Sequence, residues 1–435
     1  MRSPNVRRAG SAPEGRTACT EANAMDERTE RSWRERLGRI AREVVGELDR
    51  ASRSLGIGVP PRYEIVPYRG CAGGTRVLVQ GRVQEAKDIA PATATDSVWR
   101  NLFNTYKRID ADPLPHARVR IAVGGAVCEI DADDEGFIRT WIDLPAPLPT
   151  TDAWHSVDLR LVSPLPAGHA EVRATAQVRV PAGAPSFGVI SDLDDTVIQS
   201  RITSFLQAVR TVMLGNARTR LPFPGVAAFY RALEQGGDGA RLNPIFYVSS
   251  SPWNIHDIVA DFMDIQGIPR GPINLRDWDI VLSALTSSRL GNFKEPVIRE
   301  LLELYPTLPF ILIGDNSQKD PEIYRKIIGE FPGRILAIYI RNVDTHPERS
   351  ASVQALAKEV LAAGSTLILA DDTYAAAQHA AEQGWITKES LPGIKEEKKA
   401  DEGTTGTKVD VPGVSDEKAP TVVVEEGRTQ TRPPG

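Results

Sequence analysis

Cysteine is scarce in this chain. Cys19, Cys71 and Cys128 lie far apart, form no CxxC pair and are odd in number, so neither a zinc cluster nor a disulfide framework is supported, and each reads as a small hydrophobe or a free thiol. Long apolar runs are also missing. No stretch approaches the ~20 residues that span a bilayer, and dense ones such as 335–340 have strand length. Nor is there an excess of positive charge, since 52 Lys+Arg face 57 Asp+Glu for a net −5. That excludes a protein built to wrap duplex nucleic acid, which needs a concentrated positive face, though a local basic patch is still possible. The first 25 residues carry arginines but no apolar segment of the secretory type. The expectation is therefore a cytoplasmic protein, with peripheral membrane contact left open.

What is present divides into zones. The 435 residues suit two domains plus tails. Residues 1–30 read as a disordered arm. Over 31–56, Leu37, Ile40, Val44, Val45, Leu48 and Leu55 recur at helical spacing opposite a mixed Arg/Glu face; this is an amphipathic helix, either packed on a neighbouring domain or lying in an anionic membrane interface. Residues 57–183 carry short alternating stretches, including 75–83, 117–123, 137–144, 155–162 and 170–180, separated by Gly, Pro and Asp turns. These predict strands with one buried face, in an antiparallel β-sandwich. The acidic run DADDEG (131–136) reads as a turn rather than a calcium loop, because it lacks EF-hand spacing.

From 184 to 394 the pattern changes. SFGVI (186–190), PIFYV (244–248), PFILI (309–313), ILAIYI (335–340) and TLILA (366–370) are continuous apolar runs, with helix-length periodic segments at 226–235, 296–305 and 375–385. Parallel strands covered on both faces and alternating with helices predict a doubly wound α/β domain. Residues 395–435 have few large apolar side chains and read as a disordered tail.

Chemistry gathers at the predicted strand exits, where open α/β sheets bind ligands. The first parallel strand runs into Asp192-Leu193-Asp194-Asp195-Thr196, with two carboxylates two residues apart. The second delivers Ser249, Ser250 and Ser251, either phosphoryl-oxygen donors or a helix cap ahead of Pro252. Lys294 sits at the start of a predicted helix, where its charge opposes the helix dipole. The third strand runs into GDNSQKD, setting Asp315 and Asp320 where a carboxylate can complete a hard-cation site.

In that order, the four motifs resemble those of the haloacid-dehalogenase-like (HAD) phosphohydrolases. SDLDDTV (191–197), YVSSSPWN (247–254), GPINLRDW (271–278), ILIGDNSQKDPEIY (311–324) and AIYIRNV (337–343) are similar to the actin-patch-type phosphatidate phosphatases and their bacterial relatives. The resemblance covers roughly 186–394 and implies a HAD-like Rossmannoid domain after the β-sandwich. It further implies that Asp192 attacks phosphorus to form an aspartyl-phosphate and that Asp194 acts as acid and then base. Mg²⁺ would be held by Asp192, Asp315 and the carbonyl of Asp194, while Ser249 and Lys294 donate to phosphoryl oxygens. Asp320 would orient the metal shell from outside, and Thr196 would brace the loop. Asp195 is either a shell ligand or a helix cap, and either Ser249 or Ser250 is the hydroxyl that faces phosphate.

Residues 197–243 include Phe205, Leu206, Val209, Val212, Met213 and Leu214 beside Arg201, Arg210, Arg218 and Arg220. This is either the core of a cap or an apolar, arginine-flanked surface suited to a lipid phosphate. His256 reads as a packing or capping residue rather than a catalyst, and Arg276 either contacts substrate or pairs with Asp277 or Asp279. The expected function is a Mg²⁺-dependent phosphatidate phosphatase. The competing readings are a phosphatase of a soluble phosphomonoester and a non-catalytic lipid- or protein-binding scaffold.

Overall fold

The structure is a computed structural model that describes residues 62–86, 112–165, 171–193, 225–276, 293–316, 320–341, 347–362, 364–370, 372–403, 422–425 and 428–431. The arm, the helix expected over 31–56, the stripe over 205–214 and the trio Asp194, Asp195 and Thr196 lie outside these residues.

The first half is a seven-stranded sheet of β1 (Tyr63–Gly73), β2 (Arg76–Glu85), β3 (Arg118–Val123), β4 (Ala126–Asp131), β5 (Phe137–Asp143), β6 (Trp154–Ser163) and β7 (Arg173–Arg179), in the order β4-β3-β6-β7-β1-β2-β5. Alternation decides what each strand buries. Val119 and Ile121 of β3, Val157, Leu159 and Leu161 of β6, and Val77, Val79 and Val83 of β2 close on one apolar core. The pairings are antiparallel except where Gly70 and Cys71 of β1 run parallel to Val178 and Arg179 of β7. This corrects the expected sandwich of two sheets: the two groups of strands face a shared core, yet that short parallel pairing joins them into one hydrogen-bonded sheet. The acidic run is a turn, as Asp133 Oδ1 accepts from the N–H groups of Glu135 at 2.9 Å and Phe137 at 2.8 Å.

The second half is built on the continuous apolar runs. β8 (Gly188–Asp192), β9 (Ile245–Pro252), β10 (Ile273–Arg276), β11 (Phe310–Asp315), β12 (Ile335–Arg341) and β13 (Thr366–Ala370) pair in parallel in the order β10-β9-β8-β11-β12-β13, and β14 (Val422–Glu425) and β15 (Arg428–Thr431) extend the edge antiparallel. Apolar residues on both strand faces need cover on both sides, and seven helices accompany this sheet among the described residues: α1 (Val226–Gln235), α2 (His256–Ile265), α3 (Lys294–Leu304), α4 (Asp320–Glu330), α5 (Pro347–Ala362), α6 (Thr373–Glu382) and α7 (Ser390–Gly403). Val189, Tyr247, Ile311 and Tyr339 face α1, α2 and α6, while Ile190, Phe246, Leu312 and Ile338 face α3, α4 and α5.

The two halves share apolar layers. Tyr68 and Phe137 of the first sheet join the α1–α2–α6 layer, and Cys71 and Leu78 join the α3–α4–α5 layer. This is why β2 is buried on both faces despite its alternating sequence. The tail expectation is also corrected. Helix α7 runs past 395 to Gly403 because its polar residues find partners, Glu397 with Arg231 and Lys398 with Asp372, and β14 and β15 follow in the stretch read as disordered.

Candidate active site

Strand order places the chemistry. β8 lies between β9 and β11, so Asp192, its last residue, has Val248 of β9 opposite it, while Ser191 pairs with Ile313 of β11. Ser249 and Asp315 therefore flank Asp192 at the carboxyl edge of the sheet.

Lys294 opens α3 with its side chain buried, and its Nζ lies 2.8 Å from Asp192 Oδ1 and 2.7 Å from Asp320 Oδ1. The unfavourable helix position is thus offset by two carboxylates. The other oxygen of Asp320 accepts from the backbone N–H of Asp315 at 3.2 Å. The close approach requires Gly314, because a Cβ there would lie 2.4 Å from Asp320 Oδ2 and 2.7 Å from the Tyr324 hydroxyl.

Asp192, Asp315 and Asp320 are all buried, and each offers a carboxylate oxygen within 4.8 Å of the others. In ionised form they bring three negative charges together beside the positive charge of Lys294, a concentration that is costly to bury unless further positive charge is bound or nearby. An all-oxygen donor set with that charge fits a hard divalent cation. The field registers on Tyr324, whose phenol is pushed far up, first by burial and then by Asp320, Asp192 and Asp315.

Asp192, Lys294, Asp315 and Asp320 of the sequence reading are thus brought together. The structure sets Asp320 inside the carboxylate group itself, where it also holds Lys294. Ser249 is buried on the adjoining strand and its Oγ accepts from Ser251 N–H at 2.9 Å, whereas Ser250, pointing to the opposite face, is partly exposed. Arg276 is buried at the end of β10, and His256 packs against Tyr68 with ring centroids 3.9 Å apart.

Sequence reasoning missed Ser191 and Tyr230. Ser191 Oγ donates to the carbonyl of Asp192 at 2.8 Å and lies 2.7 Å from the Tyr230 hydroxyl, so the phenol donates to the serine. Burial keeps that phenol neutral by pushing it well up, the hydrogen bond to Ser191 opposes this, and the Asp192 charge adds to it. Tyr230 lies on the helix stripe of VAAFYRALEQ and carries no local sign of its partner. Beside the site, Phe229, Tyr230, Gly314, Tyr339, Ile340 and Arg341 help line an apolar cleft of about 40 Å³.

Comparison with known proteins bears on this edge of the sheet. Residues 187–342 match the model of the phosphatidate phosphatase APP1 catalytic domain. The chain is 32% identical over 157 residues to phosphatidate phosphatase APP1 of Saccharomyces cerevisiae, covering 35% of this chain and 25% of that protein. It is 30% identical over 158 residues to an uncharacterized protein of Schizosaccharomyces pombe, covering 36% and 25%. The aligned stretch thus spans about a quarter of the length of these curated relatives. Among solved structures, a carbohydrate acetylesterase from Xanthomonas citri aligns over 69% of this chain and 74% of its own with 11% identity and a TM-score of 0.22, too low to carry an inference. The carboxylates and the lysine at the strand exits, Asp192, Lys294, Asp315 and Asp320, all fall within residues 187–342, the stretch that is similar to the phosphatidate phosphatase APP1 catalytic domain.

Proposed function

We propose that this protein is a phosphatidate phosphatase of HAD-like arrangement that hydrolyses phosphatidate to diacylglycerol and phosphate. The observation that carries the reading is the buried Asp192–Lys294–Asp320 triad beside Asp315 at the carboxyl edge of a parallel sheet, inside the stretch related to a phosphatidate phosphatase. The strand order β10-β9-β8-β11-β12, with the motif residues at the ends of β8, β9 and β11, supports the HAD-like assignment.

Asp192 is the nucleophile. Its carboxylate attacks phosphorus, the ester oxygen departs and an aspartyl-phosphate forms on its side chain; water then cleaves that phosphate from Asp192. Lys294 holds Oδ1 of Asp192 in place and donates to the anionic phosphoryl oxygens, with Ser249 Oγ on the neighbouring strand as the second donor. Asp194, two residues beyond the nucleophile, protonates the leaving oxygen and afterwards takes a proton from the water. Asp192, Asp315 and the carbonyl of Asp194 would hold Mg²⁺, with Asp320 next to them. Bound there, the ion supplies positive charge that lessens the repulsion between an anionic nucleophile and an anionic substrate. The choice of a lipid substrate is supported by the similarity of residues 187–342 to a phosphatidate phosphatase catalytic domain, and such a substrate calls for peripheral contact with a membrane surface.

The test is phosphate release by the purified full chain from phosphatidate in mixed micelles and from soluble monoesters, with and without Mg²⁺, beside Asp192→Asn. The expected result is Mg²⁺-dependent release that favours the lipid and is lost in the variant. Faster turnover of soluble esters, with indifference to lipid presentation, would move the substrate to that class. Absence of any turnover would favour a scaffold. Independently of activity, Mg²⁺ is expected to raise the Tm of the wild type by mass action, and Asp315→Asn to abolish that rise.

A further inference from the structure

The β-rich sheet ahead of the matched stretch has no assigned role, yet two consecutive residues of its strand β1 grip both ends of helix α2. The Tyr68 ring stacks on Trp253 with centroids 5.3 Å apart and planes at 3°, and lies 3.9 Å from the ring of His256, the first residue of α2. Phe137 of β5 closes the same cluster, 6.2 Å from Trp253 and 6.4 Å from Tyr68. Arg69 reaches the last turn of α2, donating to both oxygens of Asp264 at 3.1 and 2.9 Å. Successive strand residues ordinarily point to opposite faces. Here the β1–β2 register is irregular between Tyr68 and Cys71, a bulge of the kind that re-aims side chains.

Trp253 and His256 lie two and five residues beyond Ser251, just past the end of β9 at Pro252. Their hold on β1 fixes the direction in which that segment leaves the sheet. We propose that Tyr68 and Arg69 are positioning residues for Ser249, so that the β-rich sheet is a working part of the phosphatase and not an independent module. This rests on the reading of Ser249 as a phosphoryl-oxygen donor. A hydroxyl donor displaced by even about 1 Å can cost up to about a hundredfold in rate.

The experiment measures kcat, KM, Tm and the Ki of inorganic phosphate for full-length Tyr68→Leu, Tyr68→Phe, Arg69→Gln and Tyr305→Phe, with Asp192→Asn alongside. Tyr305 is the control because its hydroxyl also joins the two halves, donating to the Ala72 carbonyl at 3.1 Å without touching α2. Tyr68→Leu is expected to lower kcat/KM and raise phosphate Ki by about ten- to a hundredfold. Arg69→Gln should shift both in the same direction, Tyr68→Phe should restore wild-type values, and Tyr305→Phe should lower Tm without moving Ki. If Tyr68→Leu does not fold, Arg69→Gln decides: an unchanged Ki overturns the proposal. So does a Tyr68→Leu enzyme that loses Tm but keeps its kinetic constants, or one that shifts no further than Tyr305→Phe. Turnover that survives Asp192→Asn would instead overturn the reading of the site. Loss in Asp192→Asn together with unchanged constants in Tyr68→Leu overturns the role of β1 alone.

Discussion

Lys294 stands between two buried carboxylates, so removing it does more than delete a donor. Lys294→Met would leave Asp192 and Asp320 buried without that counter-charge, and breaking such a buried pair costs about 3–5 kcal/mol. The variant is expected to melt lower, to lose at least about a hundredfold in kcat, and to recover part of its Tm when a divalent cation is added. Calorimetry with and without the cation checks this. Tyr230 and Ser191 allow a sharper test, because they act in series on the carbonyl of the proposed nucleophile. Tyr230→Phe and Ser191→Ala should each lower kcat with little change in KM, and the double variant should lose no more than the worse single one. Additive losses in that cycle would refute the series arrangement. Asp192, Lys294, Asp315 and Asp320 were legible because each stands next to a recognisable element boundary. Ser191 and Tyr230 were not, since a serine inside a strand and a tyrosine on a helix stripe look like packing until their hydroxyls are seen to meet.

Helix α1 starts after Gly225, which has no side chain to cap it. The missing acceptor comes from α7, where Glu397 Oε1 accepts from Ala228 N–H at 2.8 Å and Oε2 pairs with Arg231. Glu397→Ala should therefore destabilise the protein by about 0.5–2 kcal/mol, the usual range for a lost cap, measured by denaturant unfolding. The same helix supplies Lys398 to Asp372, the cap of α6. Burial works against ionisation of Asp372, but Lys398 and the Ala375 N–H outweigh it and hold the carboxyl below its ordinary value. A carboxyl depressed in this way contributes stability that is present above its unfolded pKa and lost as pH falls through the lower, folded one. The clasp should therefore release below about pH 4. Melting curves on either side of that point should show an acid loss that Lys398→Met removes, together with a lower Tm at neutral pH. The tail was misread because composition counts apolar residues, whereas α7 is held largely by ionic partners far away in the chain. Strand β1 was obscured for a related reason: its residues meet three different apolar clusters, Ile65 and Ala72 in the core of the first sheet, Tyr68 in the α1–α2–α6 layer and Cys71 in the α3–α4–α5 layer, so no clean alternation develops.

As a whole, residues 62–403 carry two sheets whose apolar layers are shared, and Arg69–Asp264, Arg139–Glu300 and the Tyr305–Ala72 bond cross between them. Elements that bury one another's surface melt together, so scanning calorimetry should find one cooperative transition for the two sheets, and two separated transitions would show that they fold independently. The sequence by itself determined the doubly wound half, because continuous apolar strands and periodic helices can be buried only on both sides of a parallel sheet, and it determined which strand exits carry carboxylates, serine and lysine. Only the tertiary structure decided that Asp320 holds Lys294, that Tyr230 reaches Ser191, that the first seven strands form one sheet, and that β1 braces the helix after Ser249. The physical reason is that periodicity reports which face of an element is buried but not what lies against it. Those partners are chosen by crossover connections that bring distant parts of the chain together.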